Sequence, residues 1–333
     1  MVGAYHIAVQ NSIVKYEFDI KRNITIIKGD SATGKTVLVD MIQEYILNGS
    51  DSGITVSCDV PCRVIEGHTW EEQLAPIKNS IVFIDEGNRF VCSDDFSEHV
   101  KRGDNYYVIV TREKLANLPY SVTEIYGIHS SGKYENLAPV YHELYRIYDD
   151  REIHKKLSED IIPTEIIVED TNAGYEFFSY VTEKANSCKC ISAGGKSNVF
   201  NTLQTTSSET ILIIADGAAF GCEMERLYEL LSVRSNVHLY LPESFEWLIL
   251  HSDVIPGKNY DDFLEHTELY AESSKYMSWE RYYTALLTES TKQTRMAYNK
   301  RKLNPTYKNT TVKTALLKIM QGIKIIDNTQ EDK

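Results

Sequence analysis

The eight residues Gly29-Asp30-Ser31-Ala32-Thr33-Gly34-Lys35-Thr36 follow a β-like run over 23–28 and lead into an amphipathic stretch over 36–47. Small residues and two glycines let successive backbone N–H groups curl toward one point, which makes such a turn a seat for an anion. Lys35 adds an ammonium, and Thr36 adds a hydroxyl suited to a hard cation. The helix expected over 36–47 aims the positive end of its dipole at the same point. Strand, glycine turn and helix therefore predict a phosphate-binding loop at the edge of an α/β sheet.

The spacing G-x-x-x-x-G-K-T resembles the Walker A loop of P-loop NTPases. The resemblance implies that Gly29, Asp30, Ser31, Ala32, Thr33, Gly34, Lys35 and Thr36 hold a nucleoside triphosphate, ATP or GTP. Lys35 would meet the terminal phosphates and Thr36 a Mg²⁺ ion. Further along, Ile81-Val82-Phe83-Ile84 supplies the four apolar residues of a fully buried strand and ends in Asp85-Glu86. This stretch resembles the Walker B element, which implies Asp85 in the Mg²⁺ shell and Glu86 as the residue that orients and deprotonates an attacking water. On residue chemistry alone, the two acids also suit an exposed turn after a core strand.

The strand expected over 106–110 would lie between the loop strand and the Asp85 strand. Thr111 at its end is a candidate sensor of the terminal phosphate, with Arg112 as an alternative contact, although a threonine there equally serves as a helix cap. Arg89 and Arg102 are candidates for a charge-neutralising finger across a subunit interface. The stretch between Thr36 and Asp85 is too short for the helical arm of ABC-type ATPases. A small-molecule kinase is the enzymatic rival, and Glu86 favours water as the acceptor.

A chain of 333 residues predicts two domains rather than one core. Its net charge of −13 disfavours nucleic acid and anionic membrane as general partners, so any such contact needs a local basic patch. Six scattered cysteines, including the pairs Cys58/Cys62 and Cys188/Cys190, lack zinc-finger spacing and read as reduced thiols. Apolar runs are strand-sized, and the N-terminus shows no secretory pattern. A cytoplasmic protein that neither is secreted nor spans a membrane is the expectation, with oligomerisation left open. The expected layout is a nucleotide-binding α/β domain over 1–128, a charged, helical connector over 129–160, a second α/β domain over 161–257, and a helical, basic segment over 258–333.

In the second series, Ile166-Ile167-Val168 ends in Glu169-Asp170, a later strand ends in Ser192-Ala193-Gly194-Gly195, and the apolar run over 211–215 ends in Asp216. This order resembles the topoisomerase-primase (Toprim) domain, which places a glutamate, a glycine and an Asp-x-Asp pair after its first three strands. The resemblance implies a Mg²⁺ site at Glu169 and Asp216. The chain departs from the pattern at Ala218, where the second aspartate would stand, and at Ala173, where a further acid is often found. Asp170, Glu223 and Glu243 are candidates to complete the set. A P-loop ATPase followed by a Toprim domain is also the layout of the overcoming-lysogenization-defect nucleases, of which only the general arrangement carries over.

From Lys292 to Lys324 there are seven lysines, two arginines and no acid. Tyr298 and Tyr307 interleave with Lys300, Arg301, Lys302 and Lys308, a pattern suited to flexible or single-stranded nucleic acid. The alternative is a cationic segment that docks on the acidic body of this chain or on a protein partner. Together these features predict Mg²⁺-dependent ATP hydrolysis by the first domain, coupled to a Toprim-like sensor or effector. The rivals are a nuclease using Glu169 and Asp216, and a binding module gated by nucleotide without turnover.

Overall fold

A computed structural model describes residues 1–29, 33–131, 140–148, 160–183, 188–257 and 259–325. The chain divides into two compact units, residues 1–149 with 266–278, and residues 150–265 with 279–333. Each is of the α/β class.

The first unit carries a nine-stranded, mostly parallel sheet. Its strands are β1 (Tyr5–Gln10), β2 (Val14–Ile20), β3 (Ile24–Ile27), β4 (Thr55–Ser57), β5 (Cys62–Val64), β6 (Ile81–Ile84), β7 (Tyr106–Val110), β8 (Ile125–Ser131) and β9 (Val140–Arg146). They run in the order β4-β1-β2-β9-β8-β3-β7-β6-β5, parallel throughout from β8 to β5. Every residue of β3, β6 and β7 is buried, as strands covered on both faces require. In β2, by contrast, Tyr16, Phe18 and Ile20 are buried and alternate with more exposed residues.

Register sets the business edge of this sheet. Ile27 pairs with Val110 and Ile84 with Ile109, so β3, β7 and β6 finish together. The Thr111 N–H then donates to the Ile27 carbonyl at 3.1 Å, extending the alignment one residue beyond the strands. The helix Lys35–Asn48 buries Leu38, Val39, Met41 and Ile42, whose three- and four-residue spacings share one face. These side chains join Ile27, Phe83, Val108 and Val110 in one apolar cluster.

Two expectations about boundaries are corrected. The connector placed over 129–160 is β structure where described, because β8 and β9 pair antiparallel from Tyr126↔Arg146 to Ser131↔Tyr141. Residues 132–139 and 149–159 of that span lie outside the described residues. The segment expected to be uniform over 258–333 is also divided. Residues 266–278 belong to the first unit, where Gly3 N–H bonds Glu268 O and the Asn23 side chain bonds Tyr276 O at 3.0 Å.

The second unit has a parallel sheet of β10 (Glu165–Val168), β11 (Lys189–Ser192), β12 (Ile211–Ile214) and β13 (Val237–Tyr240), in the order β11-β10-β12-β13. Strands β10 and β12 are buried at every position. Strand order reverses at β10, which opens a crevice at the carboxyl ends of β10 and β12. Helices Ala173–Glu183, Val199–Gln204, Met224–Val233 and Phe245–His251 connect and follow these strands. The later helices Trp279–Thr291 and Thr310–Ile319 belong to the same unit.

Among the described residues no helix is long and apolar enough to cross a membrane.

Candidate functional site

The carboxyl edge of the first sheet brings together most of the residues singled out around the glycine loop. Gly29 and Gly34 both have left-handed backbone, φ 128° and 91°, a conformation that glycine adopts without the clash a Cβ introduces. Asp30, Ser31 and Ala32 lie outside the described residues. Lys35 is buried, and its Nζ donates to Gly29 O at 2.8 Å and to Thr33 Oγ1 at 3.0 Å. The ammonium is thus held inside the span of the turn. Thr36, one residue into the helix, puts Oγ1 3.5 Å from Asp85 Oδ1 at the tip of β6. The hydroxyl and the carboxylate form a hard-oxygen pair of the kind magnesium takes, alongside phosphate oxygens and water.

Glu86 is more exposed, and its Oε1 meets Arg112 Nε at 2.8 Å. With the side chains 36% and 53% exposed, such a pair is worth at most about 1 kcal/mol and opens readily. Arg112 therefore stands beside Glu86, and Thr111 is buried at the end of β7. Thr111 Oγ1 accepts the Glu113 N–H at 2.9 Å, a bond within a turn and not a helix cap, since the element after β7 is the short 3-10 helix Val122–Glu124.

Three contributors at this edge were not foreseen. Tyr16 O–H donates to Gly34 O at 2.8 Å, and its ring stacks on His142 with centroids 4.7 Å apart and planes at 11°. The stack follows from register, since Tyr16 and His142 are direct partners in the parallel pair β2–β9. Burial pushes the Tyr16 hydroxyl up to about 12 and the His142 imidazole below its ordinary value, so both rings are neutral near pH 7. The third is Asp40, one helical turn beyond Thr36, whose carboxyl is raised by burial and then by the charge of Asp85. Its spacing from Thr36 was the one local signal available.

The second unit also gathers its acids. Glu169 follows β10 and Asp216 follows β12, and Glu169 Oε2 accepts the Asp216 N–H at 3.0 Å. Asp216 Oδ1 accepts the Phe245 N–H at 3.1 Å, and Asp170 Oδ1 accepts the Tyr175 N–H at 3.0 Å. One oxygen of each carboxylate is therefore engaged by backbone. Burial raises all three carboxyls, Glu169 to about 7, and for Asp216 the charges of Glu280 and Glu169 add to the effect.

One cation in this cluster is Lys300, and the charge of Lys196 also reaches Glu169. Lys300 Nζ bonds Glu280 Oε1 and lies 3.8 Å from Glu246 Oε1, which also accepts the Tyr298 hydroxyl at 2.8 Å. The crevice beside Glu169, Asp170 and Asp216 leaves about 20 Å³, room for a water molecule. Ala218, buried, adds no oxygen, and among the described residues no group of three or more His, Cys, Asp or Glu side chains is disposed to hold a metal ion. Committed carboxylate oxygens and an internal ammonium make a poor match for Mg²⁺ at Glu169 and Asp216.

The C-terminal aromatics are corrected as a stacking surface. Tyr298 and Tyr307 are only 5% and 0% exposed, and the Tyr307 hydroxyl bonds Met296 O at 2.8 Å. Neither ring offers a face to a base. Lys300 docks on acids of its own unit, which is the alternative raised for this segment.

No protein-family model matches the sequence, and no curated protein matches it.

Proposed function

We propose that the first unit is a P-loop ATPase and that the second is a Toprim-like sensor or effector without phosphodiester chemistry of its own. The observation that carries the first part is the approach of Thr36 Oγ1 to Asp85 Oδ1, with Lys35 held in the turn and Glu86 one residue away. Two sequence elements 49 residues apart meet at one sheet edge, across the intervening strand β7. ATP fits the turn through its phosphates, and Lys35 neutralises charge on the terminal ones. Thr36 and Asp85 would hold Mg²⁺, which when bound supplies further neutralisation of the phosphate oxygens.

Glu86 leaves Arg112 and takes a proton from a water. The oxygen of that water forms a bond to the γ-phosphorus as the bond to the β,γ-bridging oxygen breaks, giving ADP and phosphate. Arg112, once released, is placed to meet phosphate charge. The mismatch of the second site to Mg²⁺, with Lys300 in the cluster, supports the non-nuclease role.

Glu86→Gln tests the assignment of the base. The variant should retain Mg·ATP binding and lose phosphate release by about 10²-fold or more. Turnover at the wild-type rate would remove Glu86 from the mechanism. Incubation of the wild-type protein with single-stranded and duplex DNA and Mg²⁺ should leave both intact, and cleavage abolished by Glu169→Ala would instead establish a nuclease.

A further inference from the structure

Strands β5 and β6 run side by side in parallel, Val64 opposite Phe83, so the turns that follow them leave the sheet together. The first, over 65–69, leads into the helix Trp70–Leu74, and the second, over 85–88, carries Asp85 and Glu86. Asn88 joins the two turns. Its Nδ2 donates to Asp85 O at 2.9 Å, and its Oδ1 accepts the Gly67 N–H at 2.8 Å. One partner is a carbonyl and the other an N–H, so the position needs a donor and an acceptor on one side chain, and a single orientation of the amide satisfies both.

The far side of this clasp is itself anchored. Gln73 Nε2 donates to Glu66 O at 2.8 Å and Gln73 Oε1 accepts the Glu66 N–H at 3.1 Å, which fixes the residue before Gly67 to the helix Trp70–Leu74. The Trp70 ring stacks on Phe90, two residues beyond Asn88, with centroids 5.1 Å apart and planes at 10°. Glu86 therefore projects from a turn tied down on both sides, while its side chain makes the exposed contact to Arg112. To reach a water, Glu86 has to turn away from Arg112, and a fixed backbone confines that movement to the side chain.

We propose that Asn88 is a positioning residue for Glu86: it clasps the 85–88 turn to the 65–69 turn, so that the carboxylate, once off Arg112, meets the water in one geometry. This inference rests on the reading of the first unit as an ATPase. Asn88 acts through Glu86 and not on the phosphates, so its loss slows the chemical step and spares the affinity for Mg·ATP.

The test compares full-length wild type, Asn88→Ala, Glu86→Gln and the double variant. Asn88→Ala should lower kcat about tenfold or more with KM within about twofold of wild type. In the Glu86→Gln background the same substitution should cause no further loss, as for residues that act as a unit. Hydrogen exchange without nucleotide should find the Gly67 amide protected in wild type and fast in Asn88→Ala. An unprotected Gly67 amide in wild type would overturn the clasp with no variant needed. Asn88→Ala turning over at the wild-type rate, a loss confined to KM, or a further loss in the Glu86→Gln background would overturn the positioning role. A wild-type protein that hydrolyses no nucleotide while Gly67 is protected would instead remove the ATPase reading, and the role of Asn88 with it.

Discussion

Gly34→Ala should unsettle the loop through two separable effects. At φ 91° a Cβ is strained whatever the surrounding space, at roughly 1–2 kcal/mol. That Cβ would also stand 2.7 Å from the Tyr16 hydroxyl and 3.2 Å from His142 Cε1, so the hydroxyl must move and its bond to Gly34 O is lost. A hydrogen bond of this kind contributes about 0.5–1.5 kcal/mol. The expected total is about 2–3 kcal/mol. Tyr16→Phe alone should cost about 1 kcal/mol, and in that background Gly34→Ala should retain only the backbone part. The two substitutions should therefore couple by about 1 kcal/mol, where independent sites add to within about 0.5 kcal/mol. Urea unfolding of the four proteins, with hydrogen exchange of the helix Lys35–Asn48 to locate the effect, measures the cycle. Strict additivity, or a Gly34→Ala protein as stable as wild type, would refute the view that the Tyr16–His142 stack holds the turn in place.

Two further outcomes concern the second unit. Lys300→Met keeps the aliphatic stem but leaves Glu246 without its cation, and should destabilise by about 3 kcal/mol, the low end for breaking a buried pair because the lysine side chain keeps 32% exposure; a shift below about 0.5 kcal/mol in urea unfolding would show the ammonium to be dispensable. Glu169 has an ordinary value of 4.5 and is pushed by burial to about 7, so the folded state binds the extra proton and stability falls as pH rises between those two values. Glu169→Gln should flatten that part of the stability–pH curve, and an unchanged slope would contradict the assignment.

How much of this was legible depended on whether the signal was local. Strands β3, β6 and β7 are continuous apolar runs because both their faces are covered, and polar residues, Lys28, Asp85 and Thr111, mark where they stop. Strands β1, β2 and β9 have one wetter face, so polar side chains interrupt them. Val140-Tyr-His-Glu-Leu-Tyr-Arg146 therefore looked like a charged connector, although it pairs with both β2 and β8. That misreading also concealed His142, which reaches the loop only through the pairing of β2 with β9. Lys35, Thr36 and Asp85 were visible because the spacing of the glycine turn and the buried run before Asp85 are local patterns. Tyr298 and Tyr307 failed for the opposite reason, since aromatics interleaved with lysines look alike whether the rings face solvent or pack inward.

Phosphate release from Mg·ATP by the wild-type protein and by Lys35→Ala addresses the central claim most directly. Turnover by the wild type and a loss of about 10²–10³-fold in the variant, as expected when a charge-stabilising group is removed from a phosphoryl-transfer site, is the predicted result. Equal turnover by the two proteins, or no binding or hydrolysis of any nucleoside triphosphate by the wild type, would contradict it.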